Sequence, residues 1–181
     1  YLNQGMMGVK MKLGHEDPRI DIQRVTEVRK ALGDDIWITT DANQKWDYPT
    51  AMMVGRKLEQ LNVAWFEEPL WCDDIPGHAR LAADLDIPIA MGETLGSRYE
   101  FDAYIRADAA DILQPDICRV GGITEMIKIV HMGQIAGRPI APHHMMESTI
   151  QVACGVMSSG PIEYMPWVSG AFSEPMRIED G

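Results

Sequence analysis

Three acidic residues recur at equal intervals along the chain: Asp41 in "TTDAN", Glu67 in "WFEEP" and Glu93 in "AMGET", each 26 residues after the last. Each closes a short, largely apolar run of strand-like residues. Three carboxylates brought together repel one another unless a cation joins them. A set made only of oxygens, with no His or Cys, favours Mg²⁺ over zinc. Glu68 follows Glu67 directly and Pro69 stops the run. Glu67 is expected to be the ligand, and Glu68 to support it from behind.

Two further groups could move protons. In "GVKMKL", Lys10 and Lys12 alternate with Val9, Met11 and Leu13, so both lysines point to one face of a strand. A cationic neighbour and a nearby metal both favour the neutral amine, the form that acts as a base. Asp116 in "QPD" and His143 in "PHH" also close strand-like segments. A carboxylate bonded to one imidazole nitrogen orients the ring and raises its basicity. Only one of His143 and His144 can face inward. His143, directly after "AP", is the expected one.

These residues need a scaffold that carries them to one place. Strand-like and helix-like segments alternate throughout. Strands are expected over Gly8–Leu13, in "IWITTD" to Asp41, in "VAWF" to Glu67, in "IPIAMGE" to Glu93, in "DILQPD" to Asp116, in "RPIAPHH" to His143 and in "PIEYMPW" around Glu163. Helices are expected after Asp17 and Pro18, after Asp47, through Leu81 and Leu85, after Arg98, from about Thr124 to Ala136, and roughly from Glu147 to Ser158. Positions 12, 41, 67, 93, 116, 143 and 163 are 29, 26, 26, 23, 27 and 20 residues apart, the length of one βα unit. Regular units imply a parallel sheet. Polar residues at every strand end imply the mouth of a (β/α)₈ barrel. An open doubly wound sheet would gather them at one switch point instead. Residues 1–181 are therefore expected to form one partial barrel domain of about seven βα units, with the first strand lying before Tyr1.

Composition narrows the partners. The chain has 181 residues, 46% hydrophobic and 24% charged, with a formal net charge of −11. An acidic balance argues against nucleic acid and anionic membranes, and no apolar run nears the ~20 residues of a membrane span. Cys72, Cys118 and Cys154 are widely spaced, without a CxxC pair. They read as reduced thiols of a cytoplasmic protein. "VGGIT" at Val120–Thr124 reads as a tight βα turn rather than a phosphate cradle. The start, "YLNQGMMGVK", has no signal-peptide pattern and no initiator Met, so an internal fragment of a longer protein is expected.

Seven short motifs, "VKMK", "TDAN", "FEEP", "MGET", "QPD", "PHH" and "IEY", occur in order at barrel spacing. Together they resemble the barrel domain of the enolase superfamily, in the subgroup of mandelate racemase and the acid-sugar dehydratases. The resemblance implies that Asp41, Glu67 and Glu93 bind Mg²⁺. It implies that Lys12 is one base and that the His143–Asp116 pair is the other acid/base. It further implies that Lys10 helps to hold the substrate carboxylate, that Glu163 hydrogen-bonds the enolate oxygen and that Asn43 touches substrate. The muconate-cycloisomerase and dipeptide-epimerase subgroup carries a Lys near the sixth strand, whereas no Lys occurs here between Lys57 and Lys128.

The implied reaction is removal of the proton α to a carboxylate, with dehydration of a sugar acid to a 2-keto-3-deoxy acid as the favoured outcome. Racemisation or epimerisation of an α-hydroxy acid is the alternative, and a catalytically incomplete fragment is the third reading. The resemblance also implies an N-terminal capping domain, which is expected to lie outside residues 1–181. An incomplete barrel exposes strand edges that invite pairing with another chain. A homo-oligomer or an aggregation-prone, weakly active chain is expected on that ground.

Overall fold

A computed structural model describes residues 2–157 and 160–179. Ser158, the expected end of the last helix, and Tyr1 lie outside the described residues. The chain divides into two compact units. One comprises Tyr1–Ala90, Asp108–Ala110 and Ile178–Gly181; the other comprises Met91–Ala107 and Asp111–Arg177.

The first unit is built from β1 (Gly8–Lys12), α1 (Pro18–Leu32), β2 (Trp37–Asp41), α2 (Tyr48–Gln60), β3 (Trp65–Glu67), α3 (Ile75–Asp84) and the start of β4 (Ile89–Met91). Its strands are parallel and lie in chain order, with Lys12 opposite Asp41, Asp41 opposite Glu67 and Glu67 opposite Ala90. Capping carboxylates start the helices. Asp17 accepts from Arg19 N, Asp47 from Thr50 N and Asp74 from Gly77 N, and each is followed by a proline in the first turn. Val25, Ile38, Val54, Leu58, Phe66, Leu81 and Ile89 are fully buried against one another. Each such side chain contributes roughly 1.5–3 kcal/mol of transfer free energy. Val9, Met11 and Leu13 pack on this core from β1, which leaves the Lys10–Lys12 face on the other side. Arg29 is buried and, among the described residues, pairs with no carboxylate. Its guanidinium donates to the carbonyls of Gly33, Ile36, Leu61 and Asn62 at 2.7–2.9 Å, tying α1 to the turns around it.

The second unit begins at Met91, the last residue of β4. It contains α4 (Arg98–Arg106), β5 (Ile112–Leu113), α5 (Ile123–Ile135), α6 (Met146–Val156) and a 3₁₀ turn over Pro166–Ala171. Gln114 N donates to Met91 O at 2.8 Å, continuing the ladder from β4 past β5. Phe101, Tyr104, Leu113, Met126, Ile129 and Val130 are buried here.

Among the described residues the sheet has five parallel strands, and the expected closed (β/α)₈ barrel is not seen among them. The sixth expected strand is reduced to two parallel bridges, Leu113 with Ile140 and Asp116 with His143. Pro115, Pro139 and Pro142 have no N–H to give a ladder. The seventh, with Pro161 and Pro166, is irregular up to the 3₁₀ turn. Among the described residues, no helix is long and apolar enough to cross a membrane.

Candidate active site

In the first unit, the register carries Lys12, Asp41 and Glu67 to the C-terminal ends of three neighbouring strands, side by side. The Lys12 ammonium pairs with Asp41 Oδ2, and Lys10 Nζ lies 2.8 Å from Glu67 Oε1. Trp65 Nε1 donates to the other Glu67 oxygen at 3.2 Å, as the two-residue period of a strand allows. The Asp41 and Glu67 side chains are fully buried, whereas Lys12 is 53% exposed. Asn43 donates its backbone N–H to Asp41 Oδ1 at 2.8 Å.

Glu68 takes a different path from Glu67. It is also buried, and a carboxylate oxygen of Glu68 lies within 4.8 Å of one of Asp41. Its φ is +41°, so the strand alternation breaks at this residue. Gln44 holds it: Nε2 donates to Glu68 Oε2 at 2.9 Å, while Gln44 Oε1 accepts from Cys72 N at 3.0 Å. The sequence offers no sign of this, because Gln44 carries no charge and no periodic place. Two buried carboxylates, Asp41 and Glu67, thus pair with the Lys12 and Lys10 ammonium groups, and buried Glu68 adds a third carboxylate. The oxygen-only donors and the surplus of negative charge fit a hard divalent cation.

In the second unit, Asp116 Oδ2 lies 2.7 Å from His143 Nδ1. Nε2 of the same ring faces Glu93 Oε2 at 3.4 Å and Glu163 Oε2 at 3.9 Å. The other Asp116 oxygen accepts from Cys118 N at 2.8 Å and Arg119 N at 3.1 Å. Burial pushes the Asp116 carboxyl up, but the bonds from His143 and from the two amides, with the charge of His143, outweigh it. They hold the carboxyl below the usual carboxylate range. The ring is therefore oriented by an ionised carboxylate, with Nε2 placed to take or give a proton.

His144 plays another part. Its backbone N–H donates to Glu163 Oε2 at 3.0 Å, and its ring stands 6.2 Å from the Trp167 ring. Glu163 is thereby held beside the His143 ring. Glu93 directly follows Gly92, whose φ is +144°. A Cβ there would come within 2.9 Å of the Gln114 backbone, so the chain reaches Glu93 by a route that only glycine follows without strain.

Comparison with known proteins places the chain in a family. The family model described as Enolase C-terminal domain-like matches residues 1–181. The chain is 44% identical over 177 residues to the L-talarate/galactarate dehydratase of Salmonella typhimurium, covering 98% of this chain and 44% of that protein. It is 40% identical over 144 residues to the arabinonate dehydratase of Saccharolobus solfataricus, covering 80% of this chain and 39% of the relative. The crystal structure of L-talarate dehydratase from Polaromonas sp. JS666, complexed with Mg and L-glucarate, superposes with a TM-score of 0.95 at 44% identity. That match covers 99% of this chain and 48% of the other. The chain thus spans less than half the length of these relatives, and it belongs to the enolase C-terminal domain-like family.

Proposed function

We propose that the protein containing this chain is a Mg²⁺-dependent enzyme that removes the proton α to a carboxylate and dehydrates a sugar acid to a 2-keto-3-deoxy acid. The observation that carries the reading is the His143 ring, tied at Nδ1 to an ionised Asp116 and facing two further carboxylates at Nε2. The kinship with sugar-acid dehydratases supports it. Asp41, Glu67 and Glu93 hold the ion in this proposal. When bound, it supplies electrostatic stabilisation of the negative charge that builds on the substrate carboxylate.

The chain's own residues do the rest. Lys12 or His143 takes the α-proton. Protonated His143 then gives its proton to the β-hydroxyl as it leaves. Lys10 holds the substrate carboxylate, Asn43 contacts substrate, and a protonated Glu163 donates a hydrogen bond to the enolate oxygen. Racemisation is the second reading, favoured by the presence of two candidate bases of different kinds, Lys12 and His143. In this proposal the strands belong to a closed eight-stranded barrel in the whole protein, and the whole protein is a homo-oligomer, which light scattering after gel filtration would test.

The decisive assay incubates the full-length protein with Mg²⁺ and a panel of aldarates and aldonates. Keto-acid formation and α-proton exchange in D₂O are scored together. Keto acid formed only with Mg²⁺ supports dehydration; exchange with inversion but no keto acid supports racemisation. Neither reaction with any acid would overturn the proposal.

A further inference from the structure

Asp21 lies in the first turn of α1, outside every motif of the site, yet its side chain is fully buried and charged. Its partners all belong to the chain around Lys12 or reach back to it. Oδ2 accepts two consecutive backbone N–H groups, Gly14 at 2.8 Å and His15 at 2.7 Å. Oδ1 accepts from Arg24 Nη1 at 2.7 Å, and the same nitrogen lies 3.1 Å from the carbonyl oxygen of Lys12 itself. On the β2 side, Leu13 N donates to Asp41 O at 2.7 Å. The backbone from 12 to 15 is therefore held by β2 on one hand and by Asp21 with Arg24 on the other.

Within the loop, Asp17 N also donates to His15 Nδ1 at 3.0 Å. Gly14 has φ +103°, and a Cβ there would meet Lys45 Cγ at 2.6 Å. This path suits glycine alone, and glycine adds no stiffness of its own. The Lys12 side chain is about half exposed and has four rotatable bonds. Its ammonium is aimed by the pair with Asp41 and by the backbone that carries it. A buried carboxylate accepting charge-assisted and paired amide bonds is a rigid anchor, and burying it carries a desolvation cost that loop packing alone would not demand.

We infer that Asp21 is a positioning residue for Lys12, fixing through Arg24 and the Gly14–His15 amides the strand end from which the lysine reaches its proton. The inference rests on the proposed role of Lys12 as a base. Misplacing a catalytic group by an ångström costs up to about 100-fold in rate.

The test uses the full-length protein with an acid that the wild type turns over. Asp21→Asn keeps the shape but turns an amide N–H₂ toward either Arg24 or the two backbone donors. It should lower kcat at least about tenfold with KM within about twofold, at a temperature where melting curves show the variant folded. In a Lys12→Ala background, it should slow the residual α-proton exchange no further, because effects that act through one residue do not add. An equal slowing in both backgrounds would make Asp21 a general fold contact and overturn the inference. So would a KM change at constant kcat, or no change at all. Should Lys12→Ala leave no exchange to measure, the kcat–KM split decides. Wild-type exchange in Lys12→Ala would instead refute Lys12 as a base, a failure of the functional reading.

Discussion

Gln44 is bonded to Glu68 twice: its backbone N–H donates to the Glu68 carbonyl at 2.8 Å, and its side-chain amide donates to the Glu68 carboxylate at 2.9 Å. Both residues hold left-handed backbone, with φ +64° and +41°, as does Asn43 at +43°. Such conformations cost of order 1–3 kcal/mol each and gather where a site over-determines its backbone. Here they bring the ends of β2 and β3 together around Asp41.

The Glu67–Glu68 pair can be separated by metal titration. With Asp41, Glu67 and Glu93 as the proposed ligands, Glu67→Gln should lower Mn²⁺ or Mg²⁺ affinity by more than about 100-fold. Glu68→Gln should cost roughly 10- to 100-fold, the usual range for a group that supports ligands. Calorimetric titration measures both. The reverse order would put Glu68 in the ligand set and remove Glu67 from it.

Stability should fall in two stages on acidification. The His78 side chain is fully buried, and burial holds it below the ordinary histidine value of 6.5. The unfolded chain takes up this proton first, so stability is full above pH 6.5 and declines below it. Asp116 is held low in the folded state. Its contribution is present above the ordinary carboxylate value and is lost as pH falls through its depressed one. Urea midpoints between pH 8 and 3 should be level at first, fall below about 6.5, and fall again in the carboxylate range. Asp116→Asn should lack part of the second fall; an unchanged acid limb would show that the Asp116–His143 bond contributes nothing to folding.

Arg29 offers a test remote from chemistry. It is 7% exposed and spends its donors on four backbone carbonyls. Arg29→Met keeps much of the volume but leaves those carbonyls without their donor. The loss should be about 3–5 kcal/mol, since each buried unsatisfied group costs roughly 1–3 kcal/mol and some recover water. Arg29→Lys should lie between, because an ammonium lacks the planar fork that reaches four acceptors. Urea unfolding reads both, and a loss below about 1 kcal/mol would mean the carbonyls are hydrated without the arginine.

Much of this arrangement is legible in the residues. Asp17 with Pro18 announces α1 and Asp47 announces α2, because capping and a fixed proline φ are local effects. The Lys10–Lys12 alternation is also local. The ends of strands are less so. "RPIAPHH" and "PIEYMPW" look strand-like by their apolar residues, but their prolines give no ladder donors, and only bridges or irregular chain form. The roles of Gln44 and Asp21 cannot be seen in residue type at all. One depends on a left-handed φ, and the other on a helix turn folding back over the loop it follows.

Gly92 carries the last prediction. Its φ of +144° belongs to a region that other residues rarely enter, and a Cβ would sit 2.8 Å from Phe101 Cε1 and 2.9 Å from both N and C of Gln114. The phenyl edge could shift, but the Gln114 backbone cannot easily do so, because its N–H is bonded to Met91 O at 2.8 Å. Gly92→Ala therefore forces the chain away from β5 just where Glu93 begins. Overpacking and backbone strain together should cost about 2–4 kcal/mol. Cation affinity should fall at least about tenfold, because Glu93 moves with the backbone that carries it. Gly170→Ala is the control: nothing lies within 4 Å of a Cβ at that site, and its stability should stay within about 0.5 kcal/mol of wild type. Differential scanning calorimetry and metal titration of the two variants measure both effects. A Gly92→Ala protein that melts and binds the cation as the wild type does would show that the β4 end can relax, and that Glu93 does not depend on this glycine for its place.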